Sequence, residues 1–238
     1  MMLIAVRRIV FAIGIVVGLG CQTFAQSSDL GSWNIANLRY NFDDKWSLFG
    51  EAQVRSLKFY NHFYYYEYKG GATYKIDKNT AVSLAAGSYQ TYQDEGNFVV
   101  PKKNDEFRIW PQLIMNQSIG KLKIEQRYRA EFRFTSNGYR NRFSYRLSIA
   151  YPFGKAKDKY KPCQISLSDE LFFSDNAPFF ERNRFAFSFG YKPSRAIMLQ
   201  AGYLHQFDYK IDNEIGRDFL QITFSTELFR ERPISTTK

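Results

Sequence analysis

The sequence predicts an all-β protein, a transmembrane up-and-down antiparallel β-barrel of ten to twelve strands. Three observations predict it. Lys123, Glu125, Arg127, Arg129, Glu131 and Arg133 alternate with Leu122, Ile124, Gln126, Tyr128, Ala130, Phe132 and Phe134, so one face is wholly charged and the other largely apolar. The run from Lys121 to Phe134 is longer than the usual strand of a soluble sheet and long enough to cross a bilayer at a tilt. A secretion signal precedes it, and no later segment is apolar enough for a transmembrane helix.

The signal comprises the basic pair Arg7-Arg8, an apolar core from Ile9 to Leu19, and the small-x-small site Thr23-Phe24-Ala25 before Gln26. Cleavage there removes 1–25 and leaves 26–238 as the barrel domain. Lipoprotein cleavage before Cys21 is the alternative, but Gly18-Leu19-Gly20 lacks the large aliphatic residue expected three before the cysteine. The mature 213 residues lose two arginines with the signal and carry 31 Lys+Arg against 23 Asp+Glu, a net charge of +8. Cys163 is then the one remaining cysteine, so no internal disulfide forms. The chain has 17 Tyr and 23 Phe yet a negative mean hydropathy. Lipid outside and ion pairs inside require both properties at once.

Eleven extended segments follow in order: 33–42, 45–58, 63–75, 80–91, 106–117, 121–134, 140–151, 163–174, 182–191, 196–206 and 217–229. In the second, Trp46, Leu48, Gly50, Ala52 and Val54 oppose Ser47, Phe49, Glu51, Gln53 and Arg55. In the seventh, Phe143, Tyr145, Leu147 and Ile149 oppose Arg142, Ser144, Arg146 and Ser148. The ninth sets Phe185, Phe187 and Phe189 against Arg184, Ala186 and Ser188. Asp43-Asp44, Asp77-Lys78-Asn79, Ser118-Ile119-Gly120, Pro152-Phe153-Gly154 and Pro193-Ser194 form turns on one side. The longest connections, 92–105 and 207–216, fall on the other. That is the outer-membrane arrangement of short periplasmic turns and long outer loops. Trp46, Tyr74, Tyr151, Tyr191 and Phe229 would form the periplasmic aromatic girdle, and Phe59, Tyr66, Phe107, Phe132, Phe172 and Phe185 the outer one.

Eleven strands break the even-number habit of outer-membrane barrels. Either 33–42 does not span, leaving ten, or a further strand makes twelve; odd closure ranks behind both. A soluble barrel or sandwich shares the period with its faces exchanged. Strand length, terminal aromatics, loop alternation and a last strand closing on Leu228-Phe229 favour the membrane. That terminal aromatic is of the kind barrel-insertion machinery reads.

The candidate site is the inward charge of segments six to nine: Arg127, Arg129, Glu131, Arg133, Arg142, Arg146, Glu170 and Arg184. A tight connection around Asn176–Pro178 sets Glu170 opposite Arg184 for a cross-strand ion pair. Glu51, Arg55, Glu67, Lys69 and Arg108 face them. Two readings stand. The ions pair and plug a narrow barrel, or an excess of arginine biases a constriction toward small anions.

Catalysis lacks a constellation. His62 and His205 are the only histidines, and neither has a Ser two residues on, the spacing of known barrel lipid hydrolases. Asp169 and Glu170 point to opposite faces, which leaves Asp169 on the nominally apolar side near a bulge or the outer interface. A lipid-modifying enzyme using His205 or His62 is therefore the alternative function. No metal-ligand spacing is present, and Asp208, Asp212, Glu214 and Asp218 read as a solvated acidic loop rather than a Ca²⁺ site. No cofactor is expected. The expected partners are outer-membrane lipid, lipopolysaccharide phosphates at the rim and the insertion machinery. Nucleic acid is excluded because the basic charge lies inside an exported barrel.

Tyr128-Arg129-Ala130-Glu131-Phe132-Arg133 and Tyr139-Arg140-Asn141-Arg142-Phe143-Ser144-Tyr145-Arg146 resemble the arginine-tyrosine core of the family catalogued as domain of unknown function 2490. Ser168-Asp169-Glu170-Leu171-Phe172-Phe173, Arg182-Asn183-Arg184, Gly202-Tyr203-Leu204 and the opening Trp33 hairpin continue the likeness across essentially all of the mature chain. The resemblance implies an outer-membrane β-barrel common in Bacteroidetes-type bacteria, and it brings no activity.

Overall fold

The computed structural model describes residues 29–94, 97–99, 101–156, 160–209 and 214–230; the signal segment and Cys21 lie outside the described residues. Every regular element among the described residues is a strand. They are β1 (Gly31–Asn41), β2 (Trp46–Lys58), β3 (Asn61–Lys75), β4 (Thr80–Tyr92), β5 (Lys102–Ile119), β6 (Leu122–Thr135), β7 (Gly138–Phe153), β8 (Cys163–Ser174), β9 (Phe180–Tyr191), β10 (Ile197–Asp208) and β11 (Ile215–Phe229). Each matches one expected segment, with ends displaced by at most four residues. Neighbours in sequence are neighbours in space, and β1 pairs with β11 to close the barrel.

The closure fixes the strand number at eleven, within the expected ten to twelve though ranked behind both even counts. The barrel is also not wholly antiparallel, because β1 and β11 run parallel, from Gly31↔Phe219 to Asn41↔Phe229. One fact causes the other. In a meander each strand reverses its predecessor, so the first and eleventh point the same way. Asn41 Nδ2 binds the seam from inside, donating to Glu227 Oε1 at 3.0 Å and to the Leu228 carbonyl at 3.1 Å.

The register climbs by about 14 residues in one circuit of the barrel. For eleven strands that stagger tilts each by roughly 45°, so ~13 residues advance ~30 Å along the axis. Turn chemistry holds the register at one end. Asp43 Oδ1 accepts from the backbone N–H groups of Trp46 at 2.6 Å and Lys45 at 2.7 Å, and Asp77 Oδ1 accepts from those of Asn79 and Thr80. These backbone donors hold both carboxyls below the ordinary aspartate range. Gly120, at φ +59°, supplies the left-handed residue of the β5–β6 turn. The β5–β6 ladder passes from Ile109↔Phe132 to Gln112↔Arg129 without pairing Pro111, which has no N–H to give.

Loop lengths separate the two ends less cleanly than the sequence suggests. Connections 93–101 and 209–214 lie opposite the turns, but so do the two-residue links 59–60 and 136–137, while 154–162 lies on the turn side. Strands β5 and β10 extend into stretches the sequence assigns to loops.

Outward positions are mostly apolar: Leu48, Leu84, Phe143, Leu167, Phe187, Phe189, Leu199 and Phe224 are all exposed on the outer wall. Trp46, Tyr151, Tyr191 and Phe229 ring the turn end, with Tyr74 tilted against Trp46 at 4.8 Å between centroids. Phe59, Phe107, Phe132 and Phe185 are exposed toward the loop end, and Tyr66 is partly covered by Tyr92 and Phe98. Phe172 does not belong to that girdle. It shares the Glu170 face by the two-residue period and lies 2% exposed inside the barrel.

The parallel seam has a direct test. In a Cys163→Ser background, Asn37→Cys with Ser225→Cys joins an inward register pair, whereas Asn37→Cys with Thr226→Cys sets one thiol inside and one outside. Oxidation is expected to cross-link the first pair alone, read as a mobility shift on a denaturing gel.

Candidate functional site

The barrel encloses a cavity of about 1420 Å³, lined by side chains from all eleven strands. All eight residues named from the sequence line it: Arg127, Arg129, Glu131, Arg133, Arg142, Arg146, Glu170 and Arg184. So do Glu51, Arg55, Glu67, Lys69 and Arg108 on the facing wall.

Carboxylates bind these cations into separate groups. Glu131 Oε2 accepts from Arg142 Nη2 at 2.6 Å and Nε at 2.9 Å, and ion-pairs with Arg108 at 3.5 Å; its other oxygen meets Arg129 at 3.4 Å. Glu106 takes Arg108 at 2.8 Å together with Arg133, and Glu181 takes Arg142 at 2.9 Å and Arg133 at 3.3 Å. Three carboxylates thus tie together four guanidiniums at the loop-side waist. On the other wall Lys69 Nζ lies 2.5 Å from both Glu51 and Glu67, and Arg55 lies 3.2 Å from Glu67. Arg127 pairs with Glu170 at 2.5 Å, and Arg146 with Glu125 at 2.7 Å.

The register opposite Glu170 is Arg184, as the tight connection requires. The expected ion pair between them does not form. Glu170 turns to Arg127, while Arg184 Nε donates to Gln206 Oε1 at 2.9 Å. Arg184 makes no ion pair among the described residues. It lies instead between two rings, 4.8 Å from Phe172 and 5.0 Å from Trp33. Arg142 stacks on Phe172 at 4.7 Å, and Arg55 stacks on Trp33 at 3.4 Å and Tyr65 at 4.0 Å. Arg142, Phe172, Arg184, Trp33, Arg55 and Tyr65 therefore form an alternating cation–aromatic column across the lumen. Such stacks gain strength where water is excluded.

Sequence reasoning missed the aromatic half of this column and the carboxylates Glu106 and Glu181. Glu106 carried a signal, since it begins a segment in phase with Arg108. Glu181 lies one residue before its expected segment, beside the bulge between Phe172 and Phe173. Trp33 and Trp110, 3% and 0% exposed, are lumenal because they share the face of Asn37 and of Arg108.

The residues weighed for catalysis do not converge. His205 projects outward, its Nδ1 2.7 Å from Asp218 Oδ1, and Tyr203 donates to the same oxygen at 2.5 Å. His62 is the second residue of β3, in the left-handed region at φ +58°, with β2, β1 and β11 between it and β10. Asp169 sits in mid-strand on the outer wall and accepts from Asn183 Nδ2 at 2.8 Å; the bulge is three residues further on. Asp208 binds Arg182 inside the barrel, whereas Asp218 faces outward, and Asp212 lies outside the described residues.

Removing a carboxylate from the waist leaves buried guanidiniums unneutralised. Glu131→Gln is expected to cost about 3–5 kcal/mol of unfolding free energy in detergent. Glu125→Gln, in a pair 30% and 36% exposed, is expected to cost under about 1 kcal/mol. Urea titration followed by far-ultraviolet circular dichroism measures both.

No curated protein and no solved structure matches the chain. The model of the family described as protein of unknown function (DUF2490) matches residues 30–216, from the start of β1 to the start of β11. The chain belongs to that family.

Proposed function

We propose that the protein is an outer-membrane β-barrel occluded at its waist, a structural barrel of the envelope rather than an open pore. One observation carries the reading: long tilted strands present a largely apolar wall outward and enclose most of their arginines and glutamates. Exposed apolar surface on this scale is costly in water and favourable in hydrocarbon. A ~30 Å strand rise matches a bilayer core, and the sequence supplies the export signal. Outer-membrane lipid and lipopolysaccharide are then its surroundings, and the terminal Leu228-Phe229 is what the insertion machinery would engage.

Occlusion follows from packing. Trp33, Arg55, Glu67, Tyr89, Glu106, Trp110, Glu131, Arg142 and Phe172 are each no more than 4% exposed, although all face the interior. Small barrels fill their lumens in this way. The second reading, a narrow anion-biased path, draws on the inward excess of arginine and on lining residues that run from Asn104 and Asn137 at one mouth to Lys78 and Lys192 at the other.

Planar-bilayer recording of the refolded mature protein decides between them. The occluded barrel is expected to be silent, and Trp33→Ala with Phe172→Ala to produce anion-selective steps by removing two rings of the column. Discrete steps from the unaltered protein would establish the pore instead. The odd strand count adds a topological expectation. The start of β1 and the end of β11 lie at opposite ends of the barrel, so an epitope placed after Ala25 should be reached by antibody on intact cells and one after Lys238 should not.

A further inference from the structure

One rung of the lumen combines more positive charge than its partners neutralise. The ladder pairs Arg127↔Arg146, Arg146↔Glu170, Glu170↔Arg184, Arg184↔Gln206 and Gln206↔Arg217 set six inward side chains side by side across β6 to β11. Four are guanidiniums and one is a carboxylate. Directly opposed like charges destabilise a sheet unless something lies between them. Arg146 reaches Glu125 and Arg217 reaches Asp208 and Asp94, so carboxylates from neighbouring rungs answer part of the excess. Arg184 has none, and the buried Nε atoms of Arg127 and Arg146 and the Ser144 hydroxyl have no hydrogen-bond partner among the described residues.

Toward the turn end the wall beside this rung is stripped of long side chains on β7, β8 and β9, with Glu125 flanking it on β6 and Leu204 on β10. Ser148↔Ser168↔Ala186 and Ala150↔Ser166↔Ser188↔Gly202 are the next cross-strand rows, and a Cβ on Gly202 would lie 2.2 Å from the Phe187 carbonyl oxygen. The result is a recess with hydroxyl donors on its floor and guanidiniums along its upper edge. Exposed Arg39 and Lys123 face the same space, together with Glu51 and Glu227.

We infer that this recess binds a phosphate-class oxyanion, held by Arg127, Arg146 and Arg184 with Ser148 and Ser168, and that Glu170 is the internal carboxylate it displaces from Arg127. Planar guanidiniums with free N–H groups match tetrahedral oxyanions in geometry and charge. The inference rests on the inward placement of charge used above but does not require a membrane. Inorganic phosphate and a lipid phosphate that reaches the turn-side mouth share this chemistry.

Isothermal titration of the refolded protein in a neutral detergent tests it, with inorganic phosphate and pyrophosphate as probes. Saturable binding is expected, weakened about tenfold by Arg184→Gln and strengthened about tenfold by Glu170→Gln, each equal to ~1.4 kcal/mol. Ser168→Leu fills the recess while keeping every charge, and is expected to abolish binding even if Glu170→Gln fails to fold. Micelles doped with phosphatidylglycerol distinguish the source. Competition with phosphate that Arg184→Gln removes assigns a lipid headgroup, and no competition assigns the free ion. Absence of binding, or binding indifferent to Arg184→Gln and Ser168→Leu, overturns the inference. A chain that stays folded and soluble without detergent would overturn the membrane reading alone.

Discussion

The pairing of buried guanidiniums with buried carboxylates is the interaction on which the rest depends. A barrel with an apolar exterior leaves its charges one direction to point, and packing inside removes many of them from water. Each inward arginine then needs a carboxylate, a ring or a neutral acceptor within reach. Glu131, Glu106 and Glu181 meet that need for Arg108, Arg133 and Arg142. Gln112 and Gln206 supply neutral oxygens to Arg129 and Arg184. Where carboxylates run short, Trp33, Tyr65 and Phe172 present ring faces instead. Ion pairs and stacks together line the waist.

Closure with eleven strands is the second constraint. A parallel seam has evenly spaced but slanted hydrogen bonds and is slightly weaker per residue than its antiparallel neighbours. Side-chain contacts reinforce it here at both ends. Trp33 packs edge-on against Phe219 at 5.5 Å near the loop end, and Asn41 binds β11 at the turn end. Trp33 thus serves both the seam and the cation–aromatic column, with Arg55 stacked on it from the neighbouring β2 and Arg184 from β9, three strands away round the barrel.

Most of the architecture was legible because one rule, alternation with period two, holds along nearly every strand. Segments such as 121–134 and 163–174 match β6 and β8 almost end to end. The same rule placed all eight candidate residues on the inner face. Periodicity assigns faces but says nothing of distance around the barrel, so it put Arg184 opposite Glu170 and missed that Arg127, two strands further round, takes the carboxylate. The strand count fell within the expected ten to twelve, and only its ranking erred: a prior for even numbers placed the eleven segments present in the sequence behind ten and twelve. Phe172 was misassigned by its aromatic character, although its parity with Glu170 placed it inside. Glu181 escaped because it is the extra residue of a bulge at the start of β9, where the two-residue alternation breaks.

The central claim is that the apolar wall meets hydrocarbon while the charged column stays sealed within. The three tryptophans report on it directly: Trp46 is 49% exposed on the outer wall, whereas Trp33 and Trp110 are 3% and 0% exposed in the interior. Fluorescence of single-tryptophan proteins can be measured in bilayers whose acyl chains carry bromine near the headgroup. The account predicts strong quenching of Trp46 and little of Trp110. Strong quenching of Trp110 with Trp46 unaffected would contradict it.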